Sequence, residues 1–486
     1  MALPDVVVNV KSASTPRTLP TDTGTAFAVG VSQRGSSLAP LLLRSLQDFS
    51  TFFGGRLASS VLYDWVDQFF AEGGTRLFIS RVFGSGAVAA TRNLLDGAAG
   101  VSLVVTAGQG TTVAPDPGTW GNSLSVAVLS VSGGYQLQVT YNGIVVETSN
   151  TLVTQQDAVA WSTVSNYVDV AIGATALVPA AAAAAALTGG TDGAAVADAD
   201  YQAALDRIPP ELGPGQIAIP GQTTAARQLM ALAHAVARNR FAQLDAPDSS
   251  SASTLQGTAA ALYSAPNNGR RYGQLFAPWD VIPGLTANST RTVPPSARAC
   301  AQAARVDALG NPNIAAAGKN GYAQNTLDLS QPAFSDSDRL LLNNAGVTVS
   351  RRRYGATIAT WGMRTLADQA SDAQWSQAPN LRCLMAYVAR AKALGDQHEF
   401  DQVDGFGRAL SVFASDLAAA AKIFYDLGAL YGATAAEAYR VDTGPGLNTP
   451  AQLQAGIMTA QVALRTSPSA EQVVVNIVKT PITQSL

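Results

Sequence analysis

The chain has little charge, two cysteines, two histidines and no long apolar run. Only 13% of its 486 residues are charged while 47% are hydrophobic, about half the charge share usual in globular proteins. A surface this bland, rich in alanine and glycine, has to be covered somewhere, and contacts between subunits are the obvious cover. The net charge of −3 lacks the basic footprint that non-specific nucleic-acid binding needs. Cys300 and Cys383 are too few for a disulfide framework or a cysteine-rich zinc site, and suit a reducing compartment. The most apolar stretch, 180–187, is too short and too alanine-rich to span a bilayer. The opening MALPDVVVNVKSAS has no basic region leading into an apolar core, so no secretory signal is expected there.

Scarce histidine also bears on catalysis. His234 sits in an alanine- and leucine-rich helical context and His398 in the polar segment Gly395-Asp-Gln-His-Glu399, where a loop is expected. No Gly-x-Ser-x-Gly elbow and no Walker A lysine motif is present. Gly84-Ser-Gly86-Ala-Val-Ala89 follows a strand as a dinucleotide fingerprint should, but Asp96 falls too early for the ribose acid, so a glycine-rich domain boundary is the plainer reading. No cofactor or metal is implied. Arg351-Arg352-Arg353 is the one dense basic cluster, read as a solvated strand edge or a subunit salt bridge. Asn288-Ser-Thr290 matches a glycosylation sequon, which has no meaning without secretion.

What is present alternates helix and strand. Ala26–Val31 and Leu77–Val82 read as buried strands, with helices over 45–53 and 57–70 between them. The latter places Val61, Leu62, Trp65, Val66, Phe69 and Phe70 at helical spacing. From Val101 the period becomes two, with short strands at 101–106, 124–131, 135–141 and 144–147 and hairpin signals at Gly133-Gly134 and Asn142-Gly143. Helix and strand then resume: helix 200–208, strand 216–220, helix 223–239, strand 241–244, and strand candidates at 273–280 and 356–361. Near the C-terminus Leu381, Leu384, Met385 and Val388 form one helical stripe. Phe406, Leu410, Phe413, Leu417, Phe424 and Leu427 form another, and Thr434 with Glu437 fits a capping box. Two strand-like runs follow, 457–464 and 473–478. The expected organisation is a strand and linker arm over 1–23, an α/β domain in two segments (24–95 and 198–345), an inserted β-rich domain over 96–197, and an α+β domain over 346–486.

Several segments resemble, in order, the sheath proteins of contractile phage tails and related injection systems. Ala26-Phe-Ala-Val-Gly-Val-Ser-Gln-Arg-Gly35, Phe49 to Gly55 and Phe69-Phe-Ala-Glu-Gly-Gly74 resemble that family's opening block, and Gly118-Thr-Trp-Gly-Asn122 resembles a motif of its inserted domain. Asp200-Tyr-Gln-Ala-Ala-Leu205, Ile217-Ala-Ile-Pro-Gly221 and Thr292-Val-Pro-Pro-Ser296 follow. Leu342-Asn-Asn-Ala-Gly346 with Thr360-Trp-Gly-Met-Arg-Thr-Leu366 is similar to its most specific signature, departing at Met363 where alanine is usual. Gly428-Ala-Leu-Tyr-Gly432 through Glu437-Ala438 resembles the C-terminal block.

The resemblance implies a non-enzymatic subunit with a subtilisin-like α/β domain lacking the triad. Such a subunit forms stacked hexameric rings around an inner tail tube and meets baseplate and tail terminator proteins. It implies no nucleic-acid partner, no direct membrane insertion, and a place in a virion tail assembled in the bacterial host cytoplasm. A non-phage injection particle is the alternative within the class. A subtilisin-like hydrolase and a secreted adhesin with a β insertion are the rivals outside it.

The two ends carry their own physical reading. Alternating valines (Val6, Val8 and Val10; Val473, Val475 and Ile477) make strands whose backbone groups need partners. They find them either within their own chain or on the open sheet edge of a neighbour. Arg382, Arg390 and Lys392 are expected on the polar side of a helix over 381–394, either as an ordinary solvent face or as one that grips the tube by charge.

Overall fold

The computed structural model describes residues 23–110, 114–264, 267–353 and 357–475, together with 477 and 479. The architecture is mixed α/β, with five sheets and thirteen α-helices among the described residues.

An eight-stranded sheet forms the body, in the order Ile358–Trp361, Val347–Arg352, Gly273–Ala277, Arg240–Asp245, Gly215–Ala218, Ala26–Val31, Leu77–Val82 and Leu41–Leu43. Its six central strands are parallel and each edge strand is antiparallel. Parallel sheets need helices on both faces, and the side chains divide accordingly. Phe27, Val29 and Phe78 join one core, with Leu205, Ala231 and Leu232 of the helices Asp198–Asp206 and Ala225–Ala237. Ala26, Ala28, Leu77 and Ile79 point to the other, with Phe49, Trp65, Phe69 and Cys300. This period-two split within single strands is what makes near-continuous apolar runs buried strands. The helix expected from 57 begins at Leu62 and ends at Ala71.

The segment 346–361, expected in the C-terminal domain, supplies two strands, Val347–Arg352 and Ile358–Trp361, that complete this sheet. Their order along the chain hides this, because a strand added last can pair anywhere on the edge.

The β-rich insertion holds two four-stranded sheets on one core, which includes Leu94, Leu103, Val105, Val126, Val128, Leu137 and Val139. Thr91–Leu95 belongs here, antiparallel to Val101–Gln109, so the insertion's first strand precedes the expected boundary at 96. The hairpin signal at Asn142-Gly143 forms the turn between Gly134–Tyr141 and Ile144–Thr148. Asn142 has φ 48° and Gly143 φ 81°, the paired positive values of a turn that matches strand twist.

The C-terminal helices Ala378–His398 and Arg408–Asp426 pack on each other through Cys383, Ala386, Tyr387, Ala420, Ala421 and Phe424. Leu381 and Met385 turn instead to Phe241 of the large sheet, so one helix is shared by two cores. Phe406 of the expected stripe lies ahead of the second helix and is 84% exposed. The Thr434 capping box is not formed: the hydroxyl caps no amide, and Glu437 reaches one residue further back, accepting from Ala433 N at 2.8 Å. Thr154 with Asp157 and Thr449 with Gln452 do form such boxes.

Candidate assembly surfaces

The C-terminal segment is fastened to the body and then let go. Ser467 N donates to Ala429 O at 2.9 Å, and Asn313 Nδ2 donates to both Ala429 O and Ser467 O. Gln377 holds Ser469 by two bonds, its Nε2 donating to Ser469 O and its Oε1 accepting from Ser469 N, both at 2.9 Å. Arg364 Nε meets Glu471 Oε2 at 2.8 Å, while its Nη1 donates to Asn344 Oδ1 at 3.2 Å. Beyond this clamp Val473 and Val475 are 80% and 75% exposed, and Ile477 is 91% exposed. Residues 473–475 are in no strand.

The clamp joins two pieces of sequence that stood out only as motif letters. Asn344 belongs to Leu342–Gly346 and Arg364 to Thr360–Leu366, and together they hold the root of the tail. No periodicity links Arg364 to a carboxylate 107 residues away, so sequence reasoning missed it. The same signature has a buried half: Thr360 Oγ1 donates to Gln302 Oε1 at 2.7 Å and accepts from Arg298. Arg298 is itself paired with buried Asp280 at 2.9 Å.

A two-stranded sheet lies close by, Tyr439–Asp442 antiparallel to Gln461–Leu464. Tyr439, Val462 and Leu464 turn one face onto the C-terminal helix core. Among the described residues each strand pairs only with the other in this sheet, leaving an open edge on both sides. Two strands alone are marginal in water; packing on the helices steadies this pair without closing its edges.

Val6, Val8 and Val10 lie outside the described residues. The described chain starts at Thr23, whose hydroxyl donates to Asp307. That carboxylate also pairs with Arg382, which donates to Ala303 O at 3.0 Å as well. Arg382 is 3% exposed, so it does not share a polar face with Arg390 and Lys392. The helix packs against the body on that side, and the guanidinium supplies a cation to the buried Asp307 carboxylate. Arg390 is half-buried and Lys392 exposed. The tri-arginine cluster is not simply solvated: Arg351 and Arg353 both lie over Trp361, 4.2 and 4.1 Å from its ring centroid.

The residues that suggested chemistry are tied up structurally. Gly84 leaves the body where the chain returns past Ala194, and a Cβ there would stand 1.8 Å from Ala194 O. The glycine allows two backbones to cross at the joint of body and insertion, where Ala194 N donates to Ser85 O at 3.0 Å. His234 is buried with Nε2 2.8 Å from Arg240 Nη1. A guanidinium only donates, so that nitrogen accepts and the ring is neutral; burial, then Arg240 and Arg238, push it down to about 3. His398 closes a helix rather than sitting in a loop, because helix 378–398 outruns its expected end. Its two nitrogens meet Asp401 at 2.8 Å and Asp416 at 2.9 Å, and these bonds raise its pKa. Ser296 Oγ donates to Asp245 at 2.8 Å and accepts from Trp65 Nε1 at 2.9 Å, all three buried. Among the described residues no group of three His, Cys, Asp or Glu could hold a metal ion, and no helix is long and apolar enough to cross a membrane.

No family model and no curated protein matches the chain. Solved structures do. The chain is similar to a sheath tail protein from Listeria innocua, at 14% identity and TM-score 0.60 over 87% of this chain and 89% of that one. It is similar to a sheath tail protein from Desulfitobacterium hafniense, at 16% identity and TM-score 0.56 over 90% and 93%. The helical sheath of the anti-feeding prophage in its contracted state matches at 15% identity and TM-score 0.56, over 99% of this chain and 100% of that one. The fold is therefore that of sheath tail proteins and contractile injection-system sheaths, and it extends over nearly the whole chain.

Proposed function

We propose that this chain is the structural subunit of a contractile sheath, polymerising into stacked hexameric rings around an inner tube and contracting by rearrangement of its subunits. The observation that carries the reading is an end-to-end fold likeness to sheath subunits, joined to a tail that is clamped at Glu471 and bare from Val473. The bare valines and the two open edges of the small sheet suit each other. An arriving strand with Val473, Val475 and Ile477 on one face would continue the apolar side made by Tyr439, Val462 and Leu464. The N-terminal run, with Val6, Val8 and Val10, would take the second edge by the same logic. Contacts of this head-to-tail kind do not close on themselves and grow into a helical lattice. Contraction is then a switch between two packings, driven by many small gains per subunit and needing no nucleotide.

Within this reading the parallel sheet with helices on both faces is a subtilisin-like body, and the β-rich insertion and the C-terminal helices with their small sheet are separate units mounted on it. Arg390 and Lys392 stay as candidates for a charge grip on the inner tube; Arg382 does not. Baseplate and terminator proteins would meet the two ends of the polymer. A sheath of a non-phage injection particle is the alternative, supported by the match to the anti-feeding prophage sheath over 99% of this chain and 100% of that one. The test is negative-stain microscopy of the purified protein: tubes or cog-wheel discs are expected, and a preparation of single subunits at every concentration would refute the proposal.

A further inference from the structure

Between the two long C-terminal helices, residues 399–407 carry two aromatic side chains left largely bare among the described residues, with only the Arg408 guanidinium near one of them, 5.2 Å from the Phe406 ring centroid. Phe400 is 98% exposed and Phe406 84%. Phe400 also has φ 70°, a conformation that a bulky side chain seldom adopts. The loop is nevertheless held in shape. Asp404 Oδ1 accepts from Phe406 N at 3.1 Å and Arg408 N at 2.9 Å, and His398 bridges Asp401 and Asp416. Glu399, Asp401 and Asp404 give it an acidic setting. Two aromatic rings fixed in water on a braced loop have the form of interface anchors, which bury roughly 150–250 Å² each.

A groove of complementary character lies elsewhere on the same chain. A groove of about 360 Å³ runs along the root of the C-terminal tail. Val349 and Met363 form its buried floor, Leu340 and Trp361 its half-open walls, and Arg339 and Arg351 line it with guanidinium groups. Arg339 pairs with Asp336 on its own helix, and Arg351 stacks on Trp361. Glu471, the acid at the rim, is engaged by Arg364. The groove thus offers apolar volume with cations beside it, and the loop offers apolar side chains with carboxylates beside them.

We propose that the Phe400–Phe406 loop of one copy seats in the Leu340–Trp361 groove of another copy. This rests on the polymerising role proposed above and adds a second head-to-tail contact, made by side chains rather than by added strands. Because loop and groove are different patches, the contact propagates instead of closing. It also sits beside the tail clamp, so occupancy of the groove and the path of the departing tail would be set together.

The test uses full-length protein in two single-substitution forms, Phe406→Cys and Ala470→Cys. Both native cysteines are buried, so the introduced thiols alone should react. Wild-type assembly is first confirmed by microscopy; if the wild type does not assemble, the polymer reading fails and this inference falls with it. Mixed and co-assembled, the two forms should yield a disulfide-linked species at about twice the 50.0 kDa subunit mass, and neither form alone should do so. Normal assembly without that species, a dimer of the Phe406→Cys form alone, or a link from Phe406→Cys to an inner-tube protein overturns the inference while leaving the polymer reading standing. As a second measurement, the double substitution Phe400→Ala and Phe406→Ala should keep the melting temperature and raise the concentration needed for assembly about ten-fold or more. An unchanged threshold overturns it.

Discussion

Reversing the charge at Arg382 should destabilise the subunit's fold rather than loosen its grip on a partner. The guanidinium is 3% exposed and faces Asp307, 8% exposed, at the point where Thr23 also bonds that carboxylate. Burial alone raises Asp307, and Arg382 is the charge that opposes the rise. Arg382→Glu removes this cation and puts a second carboxylate into the same dry space. Breaking a buried pair costs about 3–5 kcal/mol, and for a domain of this size each kcal/mol lowers the melting temperature by about 2–4 °C. The expected fall is on the order of 6–20 °C by circular dichroism. Arg390→Glu with Lys392→Glu should stay within about 2 °C of the wild type, as surface changes do. The apolar pair Arg382→Met with Asp307→Leu should recover most of the loss, because replacing both partners strands no charge. An Arg382→Glu protein that melts like the wild type would refute the buried-pair account.

Two further outcomes follow from the same kind of contact. His398 has its pKa raised by Asp401 and Asp416, so its folded value lies above the unfolded one, about 6.5. Its contribution is fully present below that unfolded value and is lost as pH rises through the folded value. The melting-temperature gap between wild type and His398→Ala should therefore be wider at pH 6 than at pH 9, and the reverse order would contradict the double ion pair. Gly84→Ala forces a Cβ against Ala194 O and should cost about 1–3 kcal/mol, seen as faster proteolysis at the joint of body and insertion. A variant as resistant as the wild type would mean that the crossing is not tight.

Much of the fold is legible in the sequence because the body's strands are short apolar runs bounded by glycine and the insertion alternates with period two. Strands 26–31 and 77–82 and the Asn142-Gly143 hairpin are local signals, decided by local sterics. Membership of the large sheet by Val347–Arg352 is not local; it depends on which edge is vacant when the chain returns. Arg382 misleads for a related reason. Its helical position predicts a polar side, but the helix is covered on that side by Asp307 from a distant segment, and a single charge inside a packed surface leaves no periodic trace. The tail clamp of Asn344, Arg364 and Glu471 is legible only as motif letters, Phe406 reads in sequence as part of a helical stripe until the helix is seen to begin at Arg408, and Phe400 carries no periodic signal at all. The end valines were legible as strands in want of a partner. The structure adds where the C-terminal set leaves the body.

The most direct measurement is negative-stain microscopy of the chain ended after Glu471 beside the full-length protein. That truncation keeps the clamp and removes the exposed valines, so it should leave the melting temperature unchanged while long tubes give way to single subunits or short stacks. Tubes of normal length from the truncated chain would contradict a lattice linked by its terminal strands.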